Sequence, residues 1–279
     1  IKESQEQVVK FIDDADLVFI TAGMGGGTGT GSAPIIAEMS KRMGALTIGI
    51  VTLPFSFEGE HRREVALQGI QRLSQKVDTL IQIDNERLLS NFDEDFSLDK
   101  AFQHADETLI QGVKSISDII VTPGFINIDF ADMRNVISNG GAAFMSIGAG
   151  KGKTAAMDAV QGVLANPLFD APVEGATDVL LNIRGGKNLT LGQVNEIVHK
   201  IRVSSHSEPK VIFGVVKDRK YNNRVSITLI ATGIKTSTEI NSPKNGTYRE
   251  SSLLHALAQA DSNGHNQIGV GDTESLFKI

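Results

Sequence analysis

Gly23-Met24-Gly25-Gly26-Gly27-Thr28-Gly29-Thr30-Gly31 follows the apolar run Leu17-Val18-Phe19-Ile20, which reads as a buried strand. It precedes Ser32-Ala33-Pro34 and the segment Ile35-Ile36-Ala37-Glu38-Met39, which reads as a helix. A strand, a glycine turn and a helix start together form a corner suited to phosphate. Glycine takes positive φ and lets backbone N–H groups approach an anion closely. A helix N-terminus adds unpaired donors and a partial positive charge. Ser32 is placed to cap this helix and Pro34 to sit in its first turn. A flexible linker would lack the flanking strand and amphipathic helix.

The dinucleotide fingerprint requires glycines at i, i+2 and i+5. In the four possible registers the third position is Thr28, Thr30, Ser32 or Pro34, so a nicotinamide dehydrogenase is disfavoured. The Walker loop is absent here too, because no Gly-Lys-Ser/Thr closes the stretch. A second glycine-rich run, Gly148-Ala149-Gly150-Lys151-Gly152-Lys153-Thr154, has Ile147 where that loop needs its first glycine. It reads as a strand-to-helix turn.

With 279 residues, 41% hydrophobic and 22% charged, the chain suits one or two globular domains. A net charge of −6 does not suggest a nucleic-acid partner. The absence of cysteine excludes disulfides and thiol chemistry, and the six histidines show no metal-ligand spacing. No apolar run has membrane-spanning length, and no signal peptide is visible, so a cytoplasmic protein without direct membrane insertion is expected. The sequence has no initiator methionine, and Ile1–Ile12 already reads as a helix, which suggests a start within a domain.

Helix and strand alternate up to about residue 122. Leu46–Val51 and Thr79–Ile83 read as strands, and residues 60–76, with Val65, Gly69, Leu73 and Val77, as a helix. This order implies a parallel, doubly wound α/β sheet. A long helix then starts at Ser97, with Leu98, Phe102, Ala105, Leu109, Val113, Ile116 and Ile120 on its expected buried face, and stops at Pro123-Gly124. Residues 123–235 read as an α+β domain with a mixed sheet. Its last two strands, Val211–Val216 and Val225–Ala231, are joined by the polar turn Asp218–Asn223 and suggest a hairpin. Residues 236–279 are polar and aperiodic and read as a disordered tail, with one short amphipathic helix at Ser251–Ala260.

Three further constellations carry chemistry. Pro54-Phe55-Ser56-Phe57-Glu58-Gly59 and Arg62 follow the second strand at its carboxyl end, where parallel sheets bind ligands. Glu58 is suited to ribose hydroxyls and Arg62 to phosphate, although an ordinary charged helix start fits as well. Asn85 ends the third strand, and Phe102 and Asp106 share a face of the long helix. A phenyl ring stacks on a purine, and a carboxylate accepts the paired donors of guanine; a core ring and a solvated charge are the plain alternative. Asn127-Ile128-Asp129-Phe130-Ala131-Asp132 follows the long helix. Its amide and two carboxylates can orient a water, yet Asp132 can equally cap a helix beginning at Met133.

The order GGGTGTG, PFSFEG, long helix, NIDFAD resembles the tubulin superfamily, and within it the FtsZ family of bacterial cell-division GTPases, from residue 1 to about 235. The resemblance implies a Rossmann-like GTPase domain over 1–122, joined by the long helix to the domain over 123–235. It implies that Gly23, Gly26, Gly27, Thr28 and Gly29 hold the phosphates of GTP or GDP with Mg²⁺. It places Glu58 and Arg62 on ribose and phosphate, and Asn85, Phe102 and Asp106 on guanine. Asn127, Asp129 and Asp132 match the family's synergy loop, which completes the GTPase site of the next subunit in a head-to-tail homopolymer. A ring at mid-cell, with membrane tethers and regulators bound through the tail, is the implied setting. The end Asp272–Ile279 departs from the family's Pro-Ala-Phe-Leu-like core. The family also opens with a strand and a further phosphate loop not found before Ile1, so an exposed sheet edge beside Leu17 is expected. A non-hydrolysing structural or capping relative, or a plasmid or phage tubulin, would fit the same motifs.

Overall fold

The computed structural model describes residues 5–89, 97–138, 140–165, 176–205 and 209–234. In it the apolar runs assemble one seven-stranded sheet. The first part comprises α1 (Gln5–Ile12), β1 (Leu17–Gly23), α2 (Gly27–Arg42), β2 (Leu46–Leu53), α3 (Glu60–Ser74), β3 (Thr79–Asp84) and α4 (Asn85–Leu89). Two helices follow, α5 (Leu98–Val121) and α6 (Phe130–Ile137). The second part comprises β4 (Gly141–Lys151), α7 (Ala155–Leu164), β5 (Asp178–Gly185), α8 (Leu191–Ser204), β6 (Lys210–Lys217) and β7 (Arg224–Thr232). The expected tail and its helix at Ser251–Ala260 lie outside the described residues.

The strand order is β1-β2-β3-β4-β7-β5-β6. β1, β2, β3 and β4 run parallel, and β7 is antiparallel to both β4 and β5. β1 is at the sheet edge, with Leu17, Val18 and Phe19 half-buried. The crossovers through α2 and α3 put both helices on one face, where Ile20, Val51 and Leu53 pack on Ala33, Ala37, Ala66 and Ile70. On the opposite face, Ile116 and Ile119 of α5 and Met133 and Ile137 of α6 share a core with Ile48, Ile81, Met145, Leu180 and Ile230. The alternation of a strand sends Val179, Leu181 and Ile183 the other way, onto α7 and α8.

Four expectations are corrected. α2 begins at Gly27 with Gly26 as its N-cap, so Ser32 and Pro34 lie inside the helix and Ser32 Oγ donates to the Thr28 carbonyl at 2.6 Å. Packing of Thr30 and Ala33 into the core overrides the poor helix propensity of the glycines. The buried stripe of α5 is Ala101, Ala105, Gly112, Ile116 and Ile119, whereas Leu98 and Phe102 are largely exposed. Asn85 opens the short helix α4 rather than ending β3. β6 and β7 form no hairpin, because β5 lies between them. The residues between Lys217 and Arg224 include a 3-10 turn, Arg219–Tyr221, and are long enough to step over one strand, about 10 Å.

A polar seam ties α5 to the second part of the sheet. Asn182 Nδ2 donates to the Ser115 carbonyl at 3.1 Å, Thr228 Oγ1 donates to Ser115 Oγ at 3.0 Å, and Arg184 pairs with Asp118. The second glycine-rich run is indeed the turn from β4 into α7. There α7 packs so closely that a Cβ at Gly148 would overlap the Ala159 carbonyl oxygen and sit 2.6 Å from the Val163 nitrogen. Since both neighbours are backbone, Gly148→Ala is expected to destabilise the fold by roughly 1–3 kcal/mol, read as a lowered urea midpoint.

Candidate functional site

The turn from β1 into α2 is built from backbone. Gly25 has φ of +98°, and a Cβ on it would lie 2.6 Å from the Arg62 carbonyl oxygen. Only glycine lets the turn lie against the start of α3. A Cβ at Gly29 would lie 2.6 Å from the Gly23 carbonyl oxygen, so the helix start also sits tightly on the strand end. Gly25 N–H donates to Thr30 Oγ1 at 2.9 Å, and Met24 N–H donates to the Thr52 carbonyl at 3.0 Å. The N-cap Gly26 supplies no side-chain acceptor, and among the described residues nothing lies within 4 Å of where a Cβ on Gly26 or Gly27 would stand. The first turn of a sixteen-residue helix therefore presents its N–H groups uncapped.

The β2–α3 connection stands beside this turn. Glu58 ends the 3-10 turn Ser56–Glu58, and its two oxygens are engaged: Oε1 accepts from Phe55 N–H at 2.9 Å and Oε2 pairs with Arg62 at 3.2 Å. Glu58 is mostly buried, while about half of Arg62 is exposed. Next to them Arg63 pairs with Asp84 at 3.0 Å, and this hydrogen bond holds the guanidinium pKa above its usual value. The Phe102 ring meets Phe55 edge-on at 5.3 Å and Phe57 edge-on at 6.2 Å, and Phe55 and Phe57 stack at 5.1 Å. Phe55 is buried, whereas Phe57 and Phe102 keep 56% and 41% of their surface exposed, enough for a flat ring to lie on them. Asn85 is buried, and its Oδ1 has no hydrogen-bond partner among the described residues. A buried acceptor left unpaired is costly unless a ligand supplies the donor. Asp106 is exposed one turn beyond Phe102 on α5.

The third constellation is divided among different tasks. Asn127 Oδ1 accepts from Gly124 N–H at 2.7 Å and closes the turn after α5. Asp129 is the N-cap of α6, with Oδ1 accepting from Asp132 N–H at 2.7 Å. The capping residue is thus Asp129, three positions earlier than the reading that made Asp132 the cap, because the helix starts at Phe130. Asp132 stands exposed in the first turn, with no carboxylate partner among the described residues. Ile126 bridges to Val215 and fixes the loop against β6.

These residues form two groups, not one. Gly23, Gly25–Gly29, Glu58, Arg62 and Asn85 lie at the carboxyl ends of β1, β2 and β3, with Phe102 and Asp106 near the start of α5. Asn127, Asp129 and Asp132 follow the other end of α5, whose 24 residues span about 36 Å. Arg134, two residues beyond Asp132, donates to the Gly44 carbonyl at 2.9 Å, just ahead of the amino end of β2. The sequence reading missed Phe55, Phe57, the Arg63–Asp84 pair and Arg134. The alternation Phe55-Ser56-Phe57 was the available signal for the ring cluster, whereas contacts across 21 and 90 residues left no local trace.

The sequence matches the Tubulin/FtsZ family GTPase domain over residues 1–93 and the FtsZ family C-terminal domain over residues 141–235. A single-substitution mutant of FtsZ from M. jannaschii is similar at 43% identity and a TM-score of 0.80, over 84% of this chain and 70% of that one. This chain belongs to the tubulin/FtsZ family. The empty FtsZ dimer of M. jannaschii matches at 44% identity and a TM-score of 0.78, over 83% of this chain and 67% of the other. The GDP-bound monomer of CetZ1 from Haloferax volcanii, 20% identical, shares the fold with a TM-score of 0.69 over 86% of this chain and 72% of its own. The chain is accordingly a tubulin-like GTPase with the FtsZ arrangement of a parallel part and a mixed part. Among the described residues no helix is long and apolar enough to cross a membrane.

The two aspartates of the loop should separate in stability measurements. Asp129→Ala removes the cap and is expected to cost about 1 kcal/mol, while Asp132→Ala should stay within about 0.5 kcal/mol. Urea denaturation of the two variants checks this, and equal losses would contradict the cap assignment.

Proposed function

We propose that the chain binds GTP at the carboxyl ends of β1–β3 and hydrolyses it only when a second copy stacks head to tail and supplies its loop. The observation that carries this reading is the separation just described. Within one chain α5 holds Asp132 at the opposite end from the uncapped turn of α2, so a second copy must deliver the carboxylate. A contact between two different ends of identical chains does not close on itself and propagates as a filament.

On this reading the N–H groups at Gly26, Gly27, Thr28 and Gly29 receive the phosphates, with Gly23 and Gly25 shaping the turn. Arg62 lies against the same turn and reaches phosphate, while Glu58 both orients Arg62 and accepts from ribose. Phe102 offers its ring to the base. The unpaired Oδ1 of Asn85 and the carboxylate of Asp106 are acceptors, which suits the N1–H and amino donors of guanine. Asn127 and Asp129 hold the loop in shape. Asp132, from the neighbouring copy, accepts a hydrogen bond from the attacking water and aligns it with the terminal phosphorus. Mg²⁺ bound to the phosphates would supply charge neutralisation. No three acidic or histidine side chains come together to hold a metal among the described residues, so the nucleotide itself would carry the ion. Division-ring assembly in the cytoplasm, with tethers and regulators as further partners, is the cellular role that fits this chemistry.

The test is GTP hydrolysis measured over a range of protein concentrations, beside Asp132→Ala. Specific activity should rise with concentration and fall about 100-fold in the variant. Activity per chain that is independent of concentration would sink the shared site.

A further inference from the structure

Resting on the shared site just proposed, we infer that Arg134 is a positioning residue for hydrolysis: by gripping the far end of α2 it sets where Asp132 stands when it meets the next copy. The carboxyl half of α6 is held from several sides. Met133, Val136 and Ile137 are buried in the core, Thr79 Oγ1 donates to the Ile137 carbonyl, and Thr232 Oγ1 donates to the Val136 carbonyl at 3.4 Å. The amino half carries Asp132 and is held differently. The Ile126–Val215 bridge ties the preceding loop to β6 and Ile128 is buried, whereas the cap, Asp129, belongs to the same short segment as the helix.

Arg134 adds a tie from within the helix to the end of α2. Its Nη2 donates to the Gly44 carbonyl at 2.9 Å across 90 residues, and its guanidinium lies 5.6 Å over the ring of Phe130, the first residue of α6. One planar group thus grips the first turn of α6 and reaches another element. The acceptor is fixed as well. Gly44 has φ of +85° in the turn that ends α2, where Gly44 N–H donates to the Lys41 carbonyl at 3.1 Å and Ala45 N–H to the Ser40 carbonyl at 3.2 Å. Ala37 and Ser40 of α2 are wholly buried, so the helix cannot roll without disturbing the core.

The opposite end of α2, about 24 Å away, is the uncapped start proposed to hold phosphate. Through Arg134, one rigid helix therefore references both functional ends of the chain. A loop displaced by about 1 Å would still allow stacking and nucleotide binding, yet would misalign the water. The same arginine serving only stability would add one exposed hydrogen bond and nothing specific to the reaction.

The two roles separate in Arg134→Ala and Arg134→Lys, assayed with the unaltered chain for hydrolysis at saturating GTP, affinity for a fluorescent GTP analogue, filament yield by sedimentation, and urea midpoint. The expected result is a kcat about 10-fold lower in Arg134→Ala, with affinity and filament yield within about twofold, and partial recovery in Arg134→Lys, whose ammonium can still donate to the carbonyl. An unchanged kcat, a kcat that falls only in step with affinity and urea midpoint, or no recovery with lysine would overturn the inference while leaving the shared site standing. An unaltered chain that never hydrolyses GTP at any concentration would overturn both.

Discussion

Burial of α5 along one face of the sheet imposes the distance on which the rest of the molecule depends. Ala105, Ile116 and Ile119 share a core with strands of both parts and Gly112 faces Ile50 and Met145, so the helix can neither bend the two ends together nor slide. Asp118 and Ser115 add a polar lock to β5 and β7. The result is a chain with an uncapped helix start at one end and, at the other, an exposed carboxylate without a partner among the described residues. On the proposed reading neither end finishes the chemistry alone, and assembly and hydrolysis become one event.

The end proposed to take the nucleotide is made mainly of backbone, which explains its composition. Uncapped N–H groups bind an anion best when no side chain competes for them, hence the glycine at the N-cap. That choice weakens the helix start, and the compensation is packing: Thr30 and Ala33 are buried, and Gly29 sits against the end of β1. The loop end follows the opposite rule. Two of its three polar side chains are consumed in local hydrogen bonds, and the third is left exposed. Asn127 and Asp129 hold the shape of the loop that leads to the exposed Asp132.

The parts of this account that were legible in the sequence are those written in local pattern. The glycine stretch between an apolar run and a helix, and the parallel order of β1, β2 and β3, follow from periodicity and turn chemistry. The errors have physical causes. Ser32 has the right chemistry for a cap, but tertiary packing starts the helix earlier, at Gly27. The α5 face was misplaced by about one residue because Leu98 and Phe102, the apolar markers, are exposed at the site end, and small residues make the close contacts. The β6–β7 hairpin failed because strand order is decided by burial of β5 on both edges, which no local pattern reports. Asp129 and Asp132 both suit a cap, and only the helix start distinguishes them. Arg134 and the Arg63–Asp84 pair depend on chain crossings and were invisible.

The central claim, a site made from two ends of different copies, is tested most directly by mixing two inactive chains. One carries Asp132→Ala and keeps its nucleotide end; the other carries Gly25→Val, which fills the turn against Arg62, and keeps its loop. Each alone should be inactive. Mixed in equal amounts, about a quarter of randomly formed interfaces pair an intact turn with an intact loop, and GTP hydrolysis should reappear in that proportion. A mixture as inactive as its components, with both chains folded and present in the same filaments, would contradict the account.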